Sequence, residues 1–256
     1  MEGVSPPGTA TVIEVQVVVS SGRPDLGHQA REAFRVRWPE FIFHDPVSEA
    51  HVERVGQYFD SWDLWLVDED RVVAGGWGVP LRWDGSDADL PAGYDGALVR
   101  SVAGHEAGQP PNTFCIMAAA VAVDAGRRGL AGEALTALRD RASAAGLGKV
   151  ICPVRPTPKS SYPLASMERF AAWRRPDGLS LDPWIRTHER LGASILGPAS
   201  RSMVITGSVA EWEEWAAMAF PESGVYVVPD ALNLVDIDRD ADRGTYVEEN
   251  LWMRHR

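Results

Sequence analysis

Residues 114–146 contain an apolar run, a glycine-bearing turn and an amphipathic stretch, and this order limits the fold more than any other part of the chain. The run from Phe114 to Val123 carries no charge and is too short to cross a bilayer, so it predicts a buried central strand. From Leu130 onward, apolar residues recur at helical spacing as far as Ala145, and Gly146 follows as a suitable terminator. The sequence therefore predicts a buried strand that leads directly into a helix.

The turn between these two elements, residues 124–129, has the features of a phosphate-binding site. The first N–H groups of a helix have no partner within the helix, and the helix dipole places positive charge at the same end. Gly126 and Gly129 carry no side chain that would block close approach, and Arg127 and Arg128 add positive charge. The alternative interpretation is a tight strand-to-helix turn whose two arginines are simply solvated.

The spacing of the turn resembles one known family. It lacks the Gly-Lys-Ser/Thr ending of a P-loop and the three-glycine spacing of a dinucleotide fold. It resembles the coenzyme A pyrophosphate turn of the GNAT superfamily of N-acetyltransferases, whose pattern is Gln/Arg-x-x-Gly-x-Gly/Ala after a strand ending Val-x-Val. Residues 121–123 (Val-Ala-Val) and 129–131 (Gly-Leu-Ala) match this pattern, whereas Gly126 stands where the family has Gln or Arg. The resemblance assigns coenzyme A binding to Val121, Ala122, Val123, Gly126, Arg127, Arg128, Gly129, Leu130, Ala131 and Gly132.

The order of the other predicted elements also resembles a GNAT domain, over about residues 11–206. Periodicity and turn residues predict a strand at 11–19, helices at 26–38 and 48–59, strands at 64–67 and 72–79, a loop at 84–112, a strand at 150–154, helices at 164–173 and 183–191, a strand at 201–207, a helix opened by a capping box at 208–211, and strands at 225–228, 232–237 and 246–253.

The fold class that follows is α/β (α+β), with a mixed, mostly antiparallel central sheet flanked by helices. We predict a single domain over residues 1–256, with a core at about 11–206 and a C-terminal elaboration at about 207–256. Residues 155–180 are an insertion where the family usually has a short connection.

The resemblance also implies a reaction. In GNAT enzymes an unprotonated amine attacks the thioester of an acyl-CoA directly, so catalysis is mostly positioning with an acid and a base. The family's acid is often a Tyr in the helix before a Leu-Gly-Phe ending; here that ending is Leu-Gly-Ala at 191–193, and His188 occupies the Tyr position. Because His188 lies on an apolar stripe, a hydrogen-bonded core residue is an equally good interpretation. Tyr162, in the insertion, is a second candidate acid.

No general base is selected by spacing. The carboxylates in stretches that could line an acceptor pocket are Glu106, Glu168, Glu248 and Glu249, and an exposed surface position is expected for each taken singly. Cys115 and Cys152 lie in apolar segments and are expected to be buried thiols. The run of aspartates at 236–240 imitates the opening of a calcium loop, but Ala241 and Val247 stand where Gly and Glu are needed, so we predict no metal.

Charge and composition argue against some classes of binding partner. The chain has 36 acidic and 25 basic side chains and a net charge of −11, without a basic patch, which argues against a nucleic-acid partner. The N-terminal stretch has neither a basic start nor an apolar core, so we expect no signal peptide, no membrane partner and a cytoplasmic location. A homodimer is left open.

We therefore predict an acyl-CoA-dependent N-acyltransferase that transfers acetyl to the amine of a small molecule, with acetyl-CoA or coenzyme A as cosubstrate and no metal. Two alternatives remain at this stage. One is a GNAT-fold protein that binds coenzyme A without catalysis. The other is a GNAT-fold enzyme that acts on an acyl thioester by another reaction, such as decarboxylation.

Overall fold

Nine strands form one sheet in the part of the chain that the computed structural model describes, residues 15–125 and 129–255. The strands are β1 (Gln16–Val19), β2 (Asp63–Asp68), β3 (Arg71–Leu81), β4 (Thr113–Val121), β5 (Lys149–Val154), β6 (Ser194–Gly207), β7 (Gly224–Tyr226), β8 (Val235–Asp238) and β9 (Arg243–His255).

Helices cover both faces of this sheet. They are α1 (Gly27–Arg35), α2 (Pro46–Phe59), α3 (Gly93–Glu106), α4 (Leu130–Ala144), α5 (Met167–Ala171), α6 (Pro183–Arg190) and α7 (Val209–Ala216). Within the described ranges, no helix has both the length and the apolar composition that crossing a membrane requires.

The sheet is mixed and mostly antiparallel. Strands β1 to β4 form an antiparallel meander, β4 pairs in parallel with β5, and β9 pairs antiparallel with β5 on one edge and with β6 on the other. The hairpin of β7 and β8 joins the N-terminal half of β9, on the edge that β5 also uses. This architecture confirms the predicted fold class.

Alternating side chains along β4 build a core on each face of the sheet, because successive side chains of a strand point to opposite sides. Phe114 belongs to the cluster that contains Leu138 of α4, and Cys115 to the cluster that contains Leu98 of α3. Both Cys115 and Cys152 are buried free thiols, as predicted.

The prediction of a loop at 84–112 was wrong, because residues 93–106 form α3. This helix contains three glycines and a weak apolar stripe, so its sequence carries little helical signal. Its stability comes from packing instead: Ala97, Leu98 and Val102 are buried against the sheet.

The predicted boundary between the core and the C-terminal elaboration, near residue 206, does not coincide with the edge of the sheet. Strand β9, at 243–255, lies between β5 and β6 and is therefore a central member of the sheet, not an elaboration. The elaboration on the described sheet is confined to residues 208–242, which contain α7 and the β7–β8 hairpin.

Two basic side chains join the insertion at 155–180 to this elaboration. Lys159 is fully buried, and its Nζ donates to the carbonyl oxygens of Leu232 at 2.6 Å and Tyr162 at 3.2 Å. Arg155 Nη2 donates to the carbonyl oxygen of Asp230 at 2.7 Å. Both segments are therefore held together just beyond the C-terminal end of β5.

Candidate active site

The parallel strands β4 and β5 separate after a short paired stretch. Thr113, Phe114 and Cys115 of β4 pair with residues 149–151 of β5, but no pairing between these strands continues beyond them in the described structure. β4 itself runs on to Val121, held by β3 on its other side. Its edge toward β5 therefore presents backbone groups without a strand partner, and an extended ligand with amide groups can bind there as an added strand would.

A sheet irregularity lies at the level where the strands separate. The register between β3 and β4 shifts between Trp77 and Gly78. A Cβ atom on Gly78 would lie 2.3 Å from the carbonyl oxygen of Cys115 and 2.4 Å from the ring of Phe114, so only glycine allows this approach. Glycine at position 78 therefore permits the close approach of β3 to β4 at this level.

The helix α4 begins where the sequence predicted it. Gly129 is its N-cap, with a φ of 94°, and no side chain of the described residues caps the first turn. At Gly132, in that first turn, a Cβ would meet no described atom within 4 Å. Val123 is exposed, and Ala122 and Leu130 are buried. The predicted Gly126, Arg127 and Arg128 lie outside the described residues.

The candidate acid His188 lies in the core. The N-cap of α6, which carries it, is Asp182, whose Oδ1 accepts from the N–H groups of Trp184 at 2.7 Å and Ile185 at 2.8 Å. His188 is fully buried, and its Nδ1 lies 2.9 Å from Nε2 of His255 on β9. Burial first, and the nearby His255 second, lower the pKa of His188 to about 3. A buried, neutral imidazole matches the core interpretation, so we assign His188 no proton transfer.

This histidine pair makes stability depend on pH. Burial first, and Arg139 second, lower the pKa of His255 to about 4, while an unfolded histidine titrates near 6.5. Between these values the unfolded chain binds more protons than the folded one, so the free energy of unfolding should fall as the pH is lowered from about 6.5 toward 4. Denaturant titrations over this range measure the slope.

The matched variant is His188→Gln, which keeps a polar group beside His255 and removes one titrating site. Its slope should be smaller by about one proton. A wild-type slope that the substitution leaves unchanged would contradict a role for the pair in this pH dependence.

Tyr162 occupies a more accessible position. Its side chain is 44% exposed, and its ring packs against Trp173 at 4.9 Å between centroids. It follows the loop that Lys159 anchors near the end of β5. Its role as an acid stays a prediction.

Glu248 on β9 is fully buried, so the expectation of an exposed position was wrong for this residue. Arg155 Nε donates to both of its carboxylate oxygens, at 3.0 and 3.2 Å. Tyr246 Oη and Asn250 Nδ2 each donate to it at 2.9 Å. Every carboxylate oxygen is satisfied, so this group is held rigidly beyond the end of β5.

No family model matches the chain. The arginine N-acetyltransferase avaD of Aspergillus versicolor is 32% identical to it over 247 residues, an alignment that covers 85% of this chain and 84% of that protein. The chain belongs to the GNAT superfamily of N-acetyltransferases. It is an enzyme that N-acetylates a small amine with an acyl-CoA.

Two solved structures share the fold of this N-acetyltransferase. The loading GNATL domain of CurA from Lyngbya majuscula has a TM-score of 0.59 at 12% identity, covering 94% of this chain and 97% of that domain. The GphF GNAT-like decarboxylase in complex with isobutyryl-CoA has a TM-score of 0.55 at 15% identity, with 94% and 98% covered. At these identities the likeness concerns the fold alone.

Proposed function

We propose that the protein transfers the acetyl group of acetyl-CoA to a nitrogen of arginine, or of a small amine that carries a similar cationic group. The observation that carries this proposal is the 32% identity, over most of both chains, to an arginine N-acetyltransferase. The net charge of −11 supports it, since an acidic protein attracts a cationic acceptor.

The split between β4 and β5 is the proposed place of the acyl-CoA arm. Backbone groups of β4 from Ile116 to Val121 would hydrogen-bond to the amides of the pantetheine. The first turn of α4, with Gly129 and Gly132, would bind the pyrophosphate through backbone N–H groups. The thioester carbon would then lie where the strands separate, beside the irregularity between β3 and β4.

The chemistry needs positioning and two proton transfers. The acceptor nitrogen must lose a proton to attack the thioester carbonyl, and the departing sulfur must gain one. Tyr162 is the proposed donor to the sulfur, because its hydroxyl-bearing side chain is accessible whereas His188 is buried. The protein's main contribution is to hold nitrogen and carbonyl carbon within reach of each other.

The test is release of free thiol from acetyl-CoA across a panel of amines. We expect arginine and agmatine to be acetylated, with a product heavier by one acetyl group, and citrulline to be a poor acceptor. Fragmentation of the product by mass spectrometry then identifies which nitrogen carries the acetyl group.

Two results would reject the proposal. Coenzyme A binding without turnover of any amine would indicate a non-catalytic binding protein. Loss of carbon dioxide from malonyl-CoA, without amine acetylation, would indicate the other thioester reaction.

A further inference from the structure

A proline lies inside β5, a strand that has a neighbouring strand on each side. Strands β3, β5 and β6 each contain one proline, which is Pro80, Pro153 and Pro198 respectively. Proline has no backbone N–H, so inside a sheet it fits only where its nitrogen faces no partner strand. Pro153 is buried, and β5 pairs with β4 on one side and with β9 on the other. One of these two sides must therefore lack a hydrogen bond at this position.

The side without the bond is the one that faces β4. Pro153 lies opposite Trp252 in a register with β9 that is unbroken from Val150 to Val154. In an antiparallel pair, every second residue exchanges both hydrogen bonds with the partner strand, and a proline can occupy only the positions in between. The backbone groups of Pro153 therefore point away from β9, and its nitrogen faces the β4–β5 split.

The missing N–H of Pro153 coincides with the end of the pairing between β4 and β5. The last paired residues are Cys115 and Ile151. In a parallel ladder with this register, Ile116 donates to the carbonyl of Ile151, and the next bond would run from residue 153 to the carbonyl of Ile116. Pro153 cannot donate that bond. The ladder thus ends where the donor is missing, although both strands continue.

The width of the split at its narrow end depends on this position. Paired strands lie about 4.8 Å apart, whereas a ligand that lies between two strands as an added strand needs about twice that spacing. One further bond, from residue 153 to Ile116, would extend the paired part by one residue, about 3.3 Å along β4. The acyl end of the proposed ligand lies at this level, so its place would be closed first.

We propose that Pro153 is a positioning residue that keeps the acyl end of the β4–β5 split open. This inference rests on the proposed function, because it requires the acyl-CoA arm to lie in the split. Pro153 acts through the backbone of the two strands and transfers no proton. A reacting group displaced by about 1 Å can lose roughly 100-fold in rate, so one additional bond between the strands should impair the transfer.

The decisive variant is Pro153→Ala, which supplies the missing N–H without adding bulk. Hydrogen exchange with mass spectrometry, on a peptide that contains residue 153, shows whether the new amide is protected. Acetyl-CoA and coenzyme A are then titrated separately by calorimetry. We expect a protected amide and roughly 10-fold weaker binding of acetyl-CoA. Coenzyme A should be affected much less, because it has no acyl group to place, and acetyl transfer should fall roughly 100-fold.

Two further variants complete the design. Pro153→Val supplies the same N–H on a side chain closer in size to the proline ring, so it should show the same selective loss. Pro198→Ala is the matched control, because β6 pairs with β9 and no described strand lies on its other side. The new N–H of this control has no strand to pair with, so the ratio of acetyl-CoA affinity to coenzyme A affinity should not change.

The outcomes separate this inference from the proposed function. An unprotected amide in Pro153→Ala, an unchanged affinity ratio, or an equal loss in Pro198→Ala overturns the role of Pro153. A selective loss of acetyl-CoA affinity supports that role even if the wild type acetylates no amine, a result that rejects only the transfer. Arginine acetylation by Pro153→Ala at the wild-type rate leaves the proposed function standing and rejects the inference.

Discussion

Replacing Glu248 by alanine is expected to lower the free energy of unfolding by about 3–5 kcal/mol. The wild-type carboxylate is fully buried and accepts hydrogen bonds from Arg155, Tyr246 and Asn250. Removing it leaves a mostly buried guanidinium without its counter-charge and takes the carboxylate acceptor away from the buried Tyr246 hydroxyl. Chemical denaturation at neutral pH measures the loss.

The second substitution Arg155→Met in the same chain should restore part of this stability, because it removes the unpaired charge. The matched control is Glu40→Ala, which breaks an ion pair with Arg35 in which both side chains are about half exposed. A pair so exposed should contribute less than about 1 kcal/mol. A loss in Glu248→Ala no larger than in Glu40→Ala would contradict the assignment of a buried network.

Local signals explain which elements could be predicted from the sequence. Two helix starts were predicted correctly, from the Asp-Pro pair at 182–183 and from the Ser-x-x-Glu box at 208–211. Capping is a contact between residues close in sequence, so a short motif reveals it. The uncharged run that became β4 was equally clear. In contrast, α3 is stabilised by contacts with residues distant in sequence. Its three glycines lower the helix propensity of the segment, so local sequence patterns do not predict it.

The residues of the candidate site also differ in whether local sequence signals could predict them. The turn before α4 has a short motif, so its helix start and Gly129 could be placed in advance. Glu248 lies on β9 and its partner Arg155 follows β5, so only the folded sheet brings these two side chains together. The sequence does not distinguish Glu248 from Glu106, Glu168 and Glu249, because the burial of a single acidic residue cannot be recognised from the residues next to it. For His188 the apolar stripe was the informative signal, and it indicated the core position.

Gly132→Glu is expected to weaken coenzyme A binding on the order of 100-fold while leaving the fold intact or slightly more stable. A Cβ atom at this position meets no atom of the described residues within 4 Å, so the substitution starts in open space. A carboxylate in the first turn of α4 interacts favourably with the helix dipole and with the free N–H groups. That same carboxylate would repel, and compete with, the pyrophosphate proposed to bind there. Thermal unfolding and calorimetry with coenzyme A measure the two effects separately.

The opposite signs of these effects make the substitution informative, and two matched variants separate size from charge. Gly132→Gln has nearly the same shape as Gly132→Glu without the charge, so it should weaken binding much less. Gly132→Ala adds helix propensity of roughly 0.5–1 kcal/mol and should raise stability with little change in affinity. If glutamate and glutamine reduce coenzyme A affinity equally, the first turn of α4 is merely crowded by the ligand; if neither reduces it, the pyrophosphate binds elsewhere. Only a selective loss with glutamate fits an anion held by the backbone of this helix, because charge is the one property in which the two side chains differ.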